Sequence, residues 1–346
     1  MKFQDLYIAG LGVHLPPPVT VRDAIADGAF SDDEREISGW ESVTVAGAVP
    51  APDLAVRAAL SALKGAGHAP EDIGLLLHTH AYHQGPDLWT PQNYIQRETV
   101  GGTAPAFALQ QGCNAMVSGL ALAGCHLAHA SDRPAVLLTG ADNFTVPQID
   151  RWRLANNVAV GDGAAAVVLS SRSGFARVRS VSSSAVPALE GLHRGDEPLF
   201  PPNGSTGRPI DLRARAMWFA ESSEAMLLSE GELIGAATAA TVERAMADAG
   251  AEISDITRVT HVHWGHERFL KRTLSPLGLD IDQGMLEFGR RVGHLGTCDQ
   301  FAGLHHLLDT GALRGGDLVL MLGVGAGLSL ACAVVEVLTP WEGDSA

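Results

Sequence analysis

Apolar and polar positions follow two alternating periods along this chain. Apolar side chains recur at Val56, Ala59, Leu60 and Leu63, and again at Val242, Ala245, Met246 and Ala249. Steps of three and four residues place each set on one face of a helix. A glycine, Gly67 or Gly250, marks the end of each helix. A short polar loop follows, then a mainly apolar run at 73–79 or 256–263, which reads as a buried strand. The two copies align without a gap as "ALKGAGHAPEDIGLLLHTH" (62–80) and "AMADAGAEISDITRVTHVH" (245–263). Ala62 matches Ala245, Gly67 matches Gly250, Asp72 matches Asp255, Ile73 matches Ile256, and His78 and His80 match His261 and His263. The shared order of helix, glycine, acidic loop, strand and paired histidines favours duplication over chance likeness in alanine-rich sequence.

The remaining pattern extends the duplication. A helix beginning at about Cys113 leads to the strand "AVLLTGAD", as the helix and turn "CDQFAGLHHLLDTGALRGG" lead to "LVLMLGVG". The closing strands are "AAAVVLS" and "LSLACAVVEV". The spacing predicts two α/β halves, residues 1–170 and 220–346. Residues 171–219 read as a connection or lid, because "LEGLHRGDEPLFPPNGSTGRPIDLRARA" is rich in Gly, Pro and charge.

Composition narrows the function classes. With 346 residues, 46% hydrophobic, and 39 glycines, the chain suits a compact globular protein. A net charge of −15 argues against nucleic acid or an anionic membrane as the main partner, and leaves an acidic protein partner open through a local basic patch. Four cysteines are too sparse for a disulfide framework, which suggests a reducing cytoplasm. Apolar runs are interrupted before they could span a bilayer, and "MKFQDLYIAGLGVHLPPP" reads as a first strand and turn rather than a signal peptide.

Several side chains carry candidate chemistry. In "LQQGCNAMVSGLALAGCHLA" (109–128) a glycine precedes Cys113 and a helix follows, which places the thiol for nucleophilic work; an inert core thiol is the alternative. Cys125 and Cys332 read as core, and Cys298, near His294, as a weaker nucleophile candidate. His261 alternates with His263 along the predicted strand and should face the other way, as a structural residue. "HTHAYH" (78–83) invites a metal-site reading, but no acid or cysteine cluster accompanies it and its place in the repeat explains it, so no metal is expected. "GVGAGL" is not a dinucleotide loop, since a strand rather than a helix follows.

With "IAGLGVHLP", "GDGAAAVVLS" and "GVGAGLSLACAVVE" in this order, nearly the whole chain resembles the β-ketoacyl-acyl carrier protein synthase III branch of the thiolase fold. The resemblance implies an α/β protein whose duplicated halves form a five-layered α-β-α-β-α core, working as a homodimer. It places Cys113 at the acyl-accepting cysteine and His263, in "HVHWGHERF", at the histidine of a His-Gln-Ala-Asn motif whose asparagine is here His266. His294, in "GHLGTCDQ", stands where the family usually has its catalytic Asn. The backbone N–H groups of Cys113 and Ala326 fall at the oxyanion hole. Arg268 falls at a basic position that docks carrier proteins, with Lys271 and Arg272 beside it; a solvated helix face explains these charges equally well. Trp40 is the one candidate for the family's coenzyme A-gripping tryptophan, and the weakness of that match favours carrier-bound donors. His193 and His266 are candidate pocket residues.

The departures redirect the expected chemistry. Condensation needs two donors on the thioester oxygen of an enolate. Asp299 lies five residues after His294; if it accepts from that imidazole, it raises its basicity and works against an enolate. Asp299 could equally cap the helix it begins. A Cys–His–Asp set on this fold resembles the acyltransferase sub-branch of natural-product, chiefly polyketide, pathways. The expected function is acyl transfer from a carrier-protein or coenzyme A thioester, through S-acyl-Cys113, to an alcohol, amine or second carrier protein, with no cofactor. The alternatives are a decarboxylating starter-unit synthase and a catalytically silent partner subunit.

Overall fold

The computed structural model describes residues 1–129, 132–155, 157–201, 203–222, 224–341 and 343, excluding the side chains of residues 203 and 224–230. The main strands are β1 (Tyr7–His14), β2 (Ile73–Thr79), β3 (Ala106–Leu109), β4 (Ala135–Asp142), β5 (Gly163–Ser170), β6 (Ala176–Ala185), β7 (Ile256–Thr260), β8 (Leu318–Gly325) and β9 (Ser329–Val337). The helices used below are α1 (Ala51–Lys64), α2 (Ala115–His129), α3 (Leu212–Ser222), α4 (Glu224–Ala249), α5 (Glu267–Leu274), α6 (Leu286–Val292) and α7 (Asp299–Asp309).

The nine strands form one hydrogen-bonded sheet in the order β3-β2-β4-β5-β1-β6-β9-β8-β7. The join between β1 and β6 is short, with Tyr7 opposite Arg177 and Ile8 opposite Ala176. On either side of it the order repeats in mirror sense: β1-β5-β4-β2 answers β6-β9-β8-β7. Helices α2 and α7 each touch strands from both sides of this join, whereas α1 packs only on the first half's strands and α4 on β6 and β9. The sheet therefore closes around the central α2/α7 pair, giving the five α-β-α-β-α layers of the thiolase fold. Strand β6 lies inside the span 171–219 expected to be a connection, so that segment contributes an inner strand before any loop begins.

Burial explains one departure in register. The buried face of α1 is Leu54, Ala55, Ala58, Ala59 and Ala62, while Leu60 is 48% exposed. The alanine face lets α1 approach β1 closely: a Cβ on Gly12 would meet Ser61 Cβ at 2.8 Å. Close backbone packing here outcompetes burial of the larger Leu60 side chain. In α4 the expected set Val242, Ala245, Met246 and Ala249 is buried. Helix α7 buries Phe301, Leu304, Leu307 and Leu308, each worth about 1.5–3 kcal/mol of apolar transfer. Helix α2 is less enclosed than its apolar sequence suggests, because Leu122 and Cys125 face outward. No described helix is long and apolar enough to cross a membrane.

Candidate active site

The segment between β3 and α2 presents Cys113, which is half-buried. Gly112, at φ +56°, makes the turn possible; a Cβ there would stand 2.5 Å from the backbone nitrogen of Ala326, in the β8–β9 turn. The backbone leading into Cys113 thus lies against Ala326, the other oxyanion-hole candidate. The helix proper starts two residues after Cys113.

His294 is fixed at both ends of its backbone: its N–H donates to Ala159 O and its carbonyl accepts from Gly161 N–H, each at 2.9 Å. Its imidazole spans the two halves of the chain. Nδ1 lies 2.6 Å from Asp299 Oδ2 and Nε2 lies 2.9 Å from Cys113 Sγ. Asp299 is fully buried and accepts from Leu295 N–H at 2.7 Å and His263 N–H at 2.8 Å. Burial opposes its charge, but His263, His294 and these donors outweigh it and lower its pKa to about 2. Burial likewise opposes a charged His294, and the neighbouring Asp299 and Cys113 reverse the balance, raising its pKa well above the usual histidine value. Asp299 is the first residue of α7, not its N-cap, and its carboxylate reaches back to Leu295 rather than into the helix's first turn.

His263 and His261 exchange the places expected for them. Strand β7 ends at Thr260, so strand alternation does not govern either residue. His261 borders the cavity over Cys113, with Nδ1–H donating to Val262 O at 2.7 Å and Nε2 accepting from Met285 N–H at 2.9 Å. Burial lowers its pKa to about 4, so it is a neutral wall residue. His263 has no exposed surface and is absent from the cavity wall. His266 is also away from it, accepting from Arg268 N–H as the N-cap of α5.

A chamber of about 700 Å³ opens over Cys113 and His294. Its wall is mostly apolar and includes Phe144, Leu154, Val160, Leu212, Trp264 and Leu328. His193 lines it as expected, with Arg215 donating to the His193 carbonyl at 3.1 Å. Arg272 lies on the rim, but Arg268 does not: its guanidinium bridges Ile37 O and Asn157 Oδ1, both at 3.3 Å. Lys271 pairs with Glu267 at 3.0 Å. Trp40 is buried against Gly265, which rules out the gripping role suggested for it. Cys298 and Cys332 are buried thiols whose burial strongly disfavours ionisation, whereas Cys125 is exposed rather than core. Within "HTHAYH", His78 is buried between Thr139 and Gln84, both at 3.0 Å.

Sequence reasoning missed two features. Trp264 and Phe269 stack at 5.5 Å in the chamber wall, and their places flanking the His263 motif were the available signal. Asp142, at the end of β4, is fully buried and accepts from the N–H groups of Ala81, Tyr82 and Thr297 at 2.8–3.2 Å. Burial raises its pKa to about 7. It ties the loop bearing Tyr82, a chamber residue, to the turn after His294.

A duplicated five-layered core, with a cysteine ahead of one central helix and a histidine–aspartate pair at the other, defines a thiolase-fold enzyme. Models of the 3-oxoacyl-[acyl-carrier-protein] synthase III family match residues 107–185 and, for its C-terminal part, 246–337. The structure of ChlB3, described as an acyltransferase, is 43% identical, with a TM-score of 0.91 over 97% of this chain and 99% of that one. The 3-oxoacyl-(acyl carrier protein) synthase III of Pseudomonas aeruginosa PAO1 superposes with a TM-score of 0.78 at 22% identity, covering 98% of this chain and 100% of that one. A β-ketoacyl-[acyl-carrier-protein] synthase III of Pseudomonas aeruginosa LESB58 is 29% identical over 335 residues, 93% of each chain. The chain belongs to the β-ketoacyl-[acyl-carrier-protein] synthase III-like family.

Proposed function

We propose that this enzyme moves an acyl group from a carrier-protein or coenzyme A thioester, through an S-acyl-Cys113 intermediate, to an alcohol, amine or second carrier-protein thiol. The carrying observation is the line Cys113 Sγ–His294–Asp299, with contacts of 2.9 and 2.6 Å. His294 Nε2 takes the Cys113 proton as sulfur attacks the thioester carbon. The N–H groups of Cys113 and Ala326 hold the tetrahedral oxyanion, and its collapse releases the donor thiol with the proton from His294. His294 then deprotonates the acceptor, whose attack breaks the C–Sγ bond and returns the proton to Cys113. Asp299 holds the Nδ1 proton, which orients the ring, and stabilises the imidazolium formed when Nε2 takes a proton. The reaction needs no cofactor.

The same geometry disfavours decarboxylative condensation. The second donor that an enolate requires would be His263, but its ring is outside the chamber, and the Asp299 charge beside His294 opposes a developing enolate. Arg272 on the rim supports a carrier-bound donor better than Arg268 does. The end strand β3 carries Phe107, 54% exposed, and Leu122 of α2 also faces outward. An uncovered apolar sheet edge supports the homodimer reading. The setting we propose is cytoplasmic natural-product, including polyketide or antibiotic, biosynthesis.

Intact-protein mass spectrometry after exposure to acyl carrier proteins, followed by acceptor candidates, tests the reading. The native enzyme should gain one acyl mass and lose it to an acceptor, while Cys113→Ala should gain none. Persistent acylation of the variant overturns the intermediate; stoichiometric carbon dioxide release with chain extension from malonyl carrier protein overturns transfer.

A further inference from the structure

We infer that His263 is a positioning residue that holds Asp299 and the peptide before His294 from behind the site, and touches no substrate. Its neighbours His261, Val262 and Trp264 all border the chamber; His263 alone turns away from it. Its Nδ1–H donates to the carbonyl of Gly293, the residue before His294, at 2.9 Å. Its backbone N–H donates to Asp299 Oδ2 at 2.8 Å, and Nδ1 stands 3.2 Å from Asp299 Oδ1. Phe288 meets the ring edge-on at 5.3 Å, and a Cβ on Gly289 would come 3.1 Å from His263 Cβ, so the ring has little freedom. Nε2, the atom that would meet a thioester, is buried without a partner.

The inference rests on the triad reading of Cys113, His294 and Asp299. One residue thereby anchors both ends of the segment that presents the base: the Gly293 carbonyl before His294 and the Asp299 carboxylate after it. The titratable groups facing the ring are Asp299, His294 and His261. Burial keeps His263 itself below the ordinary histidine range, so it acts as a neutral donor.

The test uses the full chain and iodoacetamide, which reports Cys113 reactivity without a cognate donor or acceptor; peptide mapping separates Cys113 from the exposed Cys125. His263→Leu should slow Cys113 alkylation at pH 7 by about tenfold or more and displace its pH profile, because the base loses its fixed geometry. His263→Asn, whose amide can again donate to Gly293, should restore the rate to within about threefold of native. Adding His263→Leu to Asp299→Asn should cost little beyond Asp299→Asn alone, since both act on one network. Thermal melts of the folded variants separate loss of fold from loss of positioning. A His263→Leu protein with native alkylation rate and profile overturns the inference. So does normal alkylation by both variants combined with equal loss of thioester acylation, which would put the ring on the substrate. Condensation in place of transfer would leave the alkylation result untouched.

Discussion

Asp299→Asn isolates the element on which the transfer mechanism depends. The native carboxylate accepts on Oδ2 from His294 Nδ1 at 2.6 Å and His263 N–H at 2.8 Å, and on Oδ1 from Leu295 N–H at 2.7 Å. An asparagine has one acceptor atom. If its oxygen stays with Leu295, its NH₂ faces the His263 N–H, and His294 must move its proton from Nδ1 to Nε2. The protonated nitrogen then faces Cys113 and the base is lost. If the amide flips, its NH₂ opposes Leu295 N–H in a fully buried position. Either arrangement leaves a buried donor unmatched, at about 1–3 kcal/mol of stability. A wrong tautomer in such a triad lowers turnover by about 10⁴. Quenched single-turnover acylation read by intact mass gives the rate, and circular dichroism the stability. A folded Asp299→Asn protein that acylates within tenfold of native from pH 6 to 9 would refute the claim that the His294 tautomer governs the chemistry.

Other outcomes follow from the same geometry. Asp299 falls from 3.8 unfolded to about 2 folded, a contribution of roughly 2 kcal/mol. Its folded pKa is depressed, so that stability is full above about pH 4 and is lost as pH drops through 2; acid titration of the native and Asp299→Asn proteins should differ in that window. Asp142 has the opposite sign: raised to about 7, it favours the fold most at low pH and loses that contribution as pH rises from 4 to 7. Asp142→Asn should flatten melting temperature against pH over that range. Gly112→Ala places a methyl group 2.5 Å from Ala326 N at φ +56°, so its melting temperature and acylation rate should both fall, the rate by more than about tenfold. Arg151→Met leaves the buried Asp162, held bidentately at 3.2 Å, without its counter-charge, and denaturant unfolding should show a loss of about 3–5 kcal/mol.

How much of this was legible in sequence differs by level. The halves were legible because strand and helix periods are written locally, and a duplicated order of elements survives the loss of most identities. The Cys113–His294–Asp299 line was legible through motif positions. The facing of side chains was not. The spacing of apolar residues puts Leu60 on the predicted stripe, yet the alanine face packs closer to β1. His263 looked catalytic by motif and by assumed strand alternation, but β7 stops at Thr260 and the chain turns. Arg268 looked like a docking cation, and only tertiary structure shows it bridging residues 37 and 157, which are distant in sequence.

The duplication also explains why the site stands where it does. Shifted by the offset that aligns Ala62 with Ala245, Cys113 falls within the turn between His294 and Asp299. Nucleophile and base therefore occupy equivalent places, each just ahead of one of the two central helices. The mirrored sheet brings those two entries together, and the 2.9 Å contact between Sγ and Nε2 crosses the pseudo-symmetry. Helix N-termini favour negative charge, and here one faces a sulfur that must become a thiolate while the other carries the Asp299 carboxylate. Neither half alone contains both a nucleophile and its base. An isolated half should therefore show no thioester acylation even if its Cys113 remains alkylatable, and mixing of the two halves should restore acylation only where they reassociate. Recovery of acylation by residues 1–170 alone would break the link between the fold's symmetry and its chemistry.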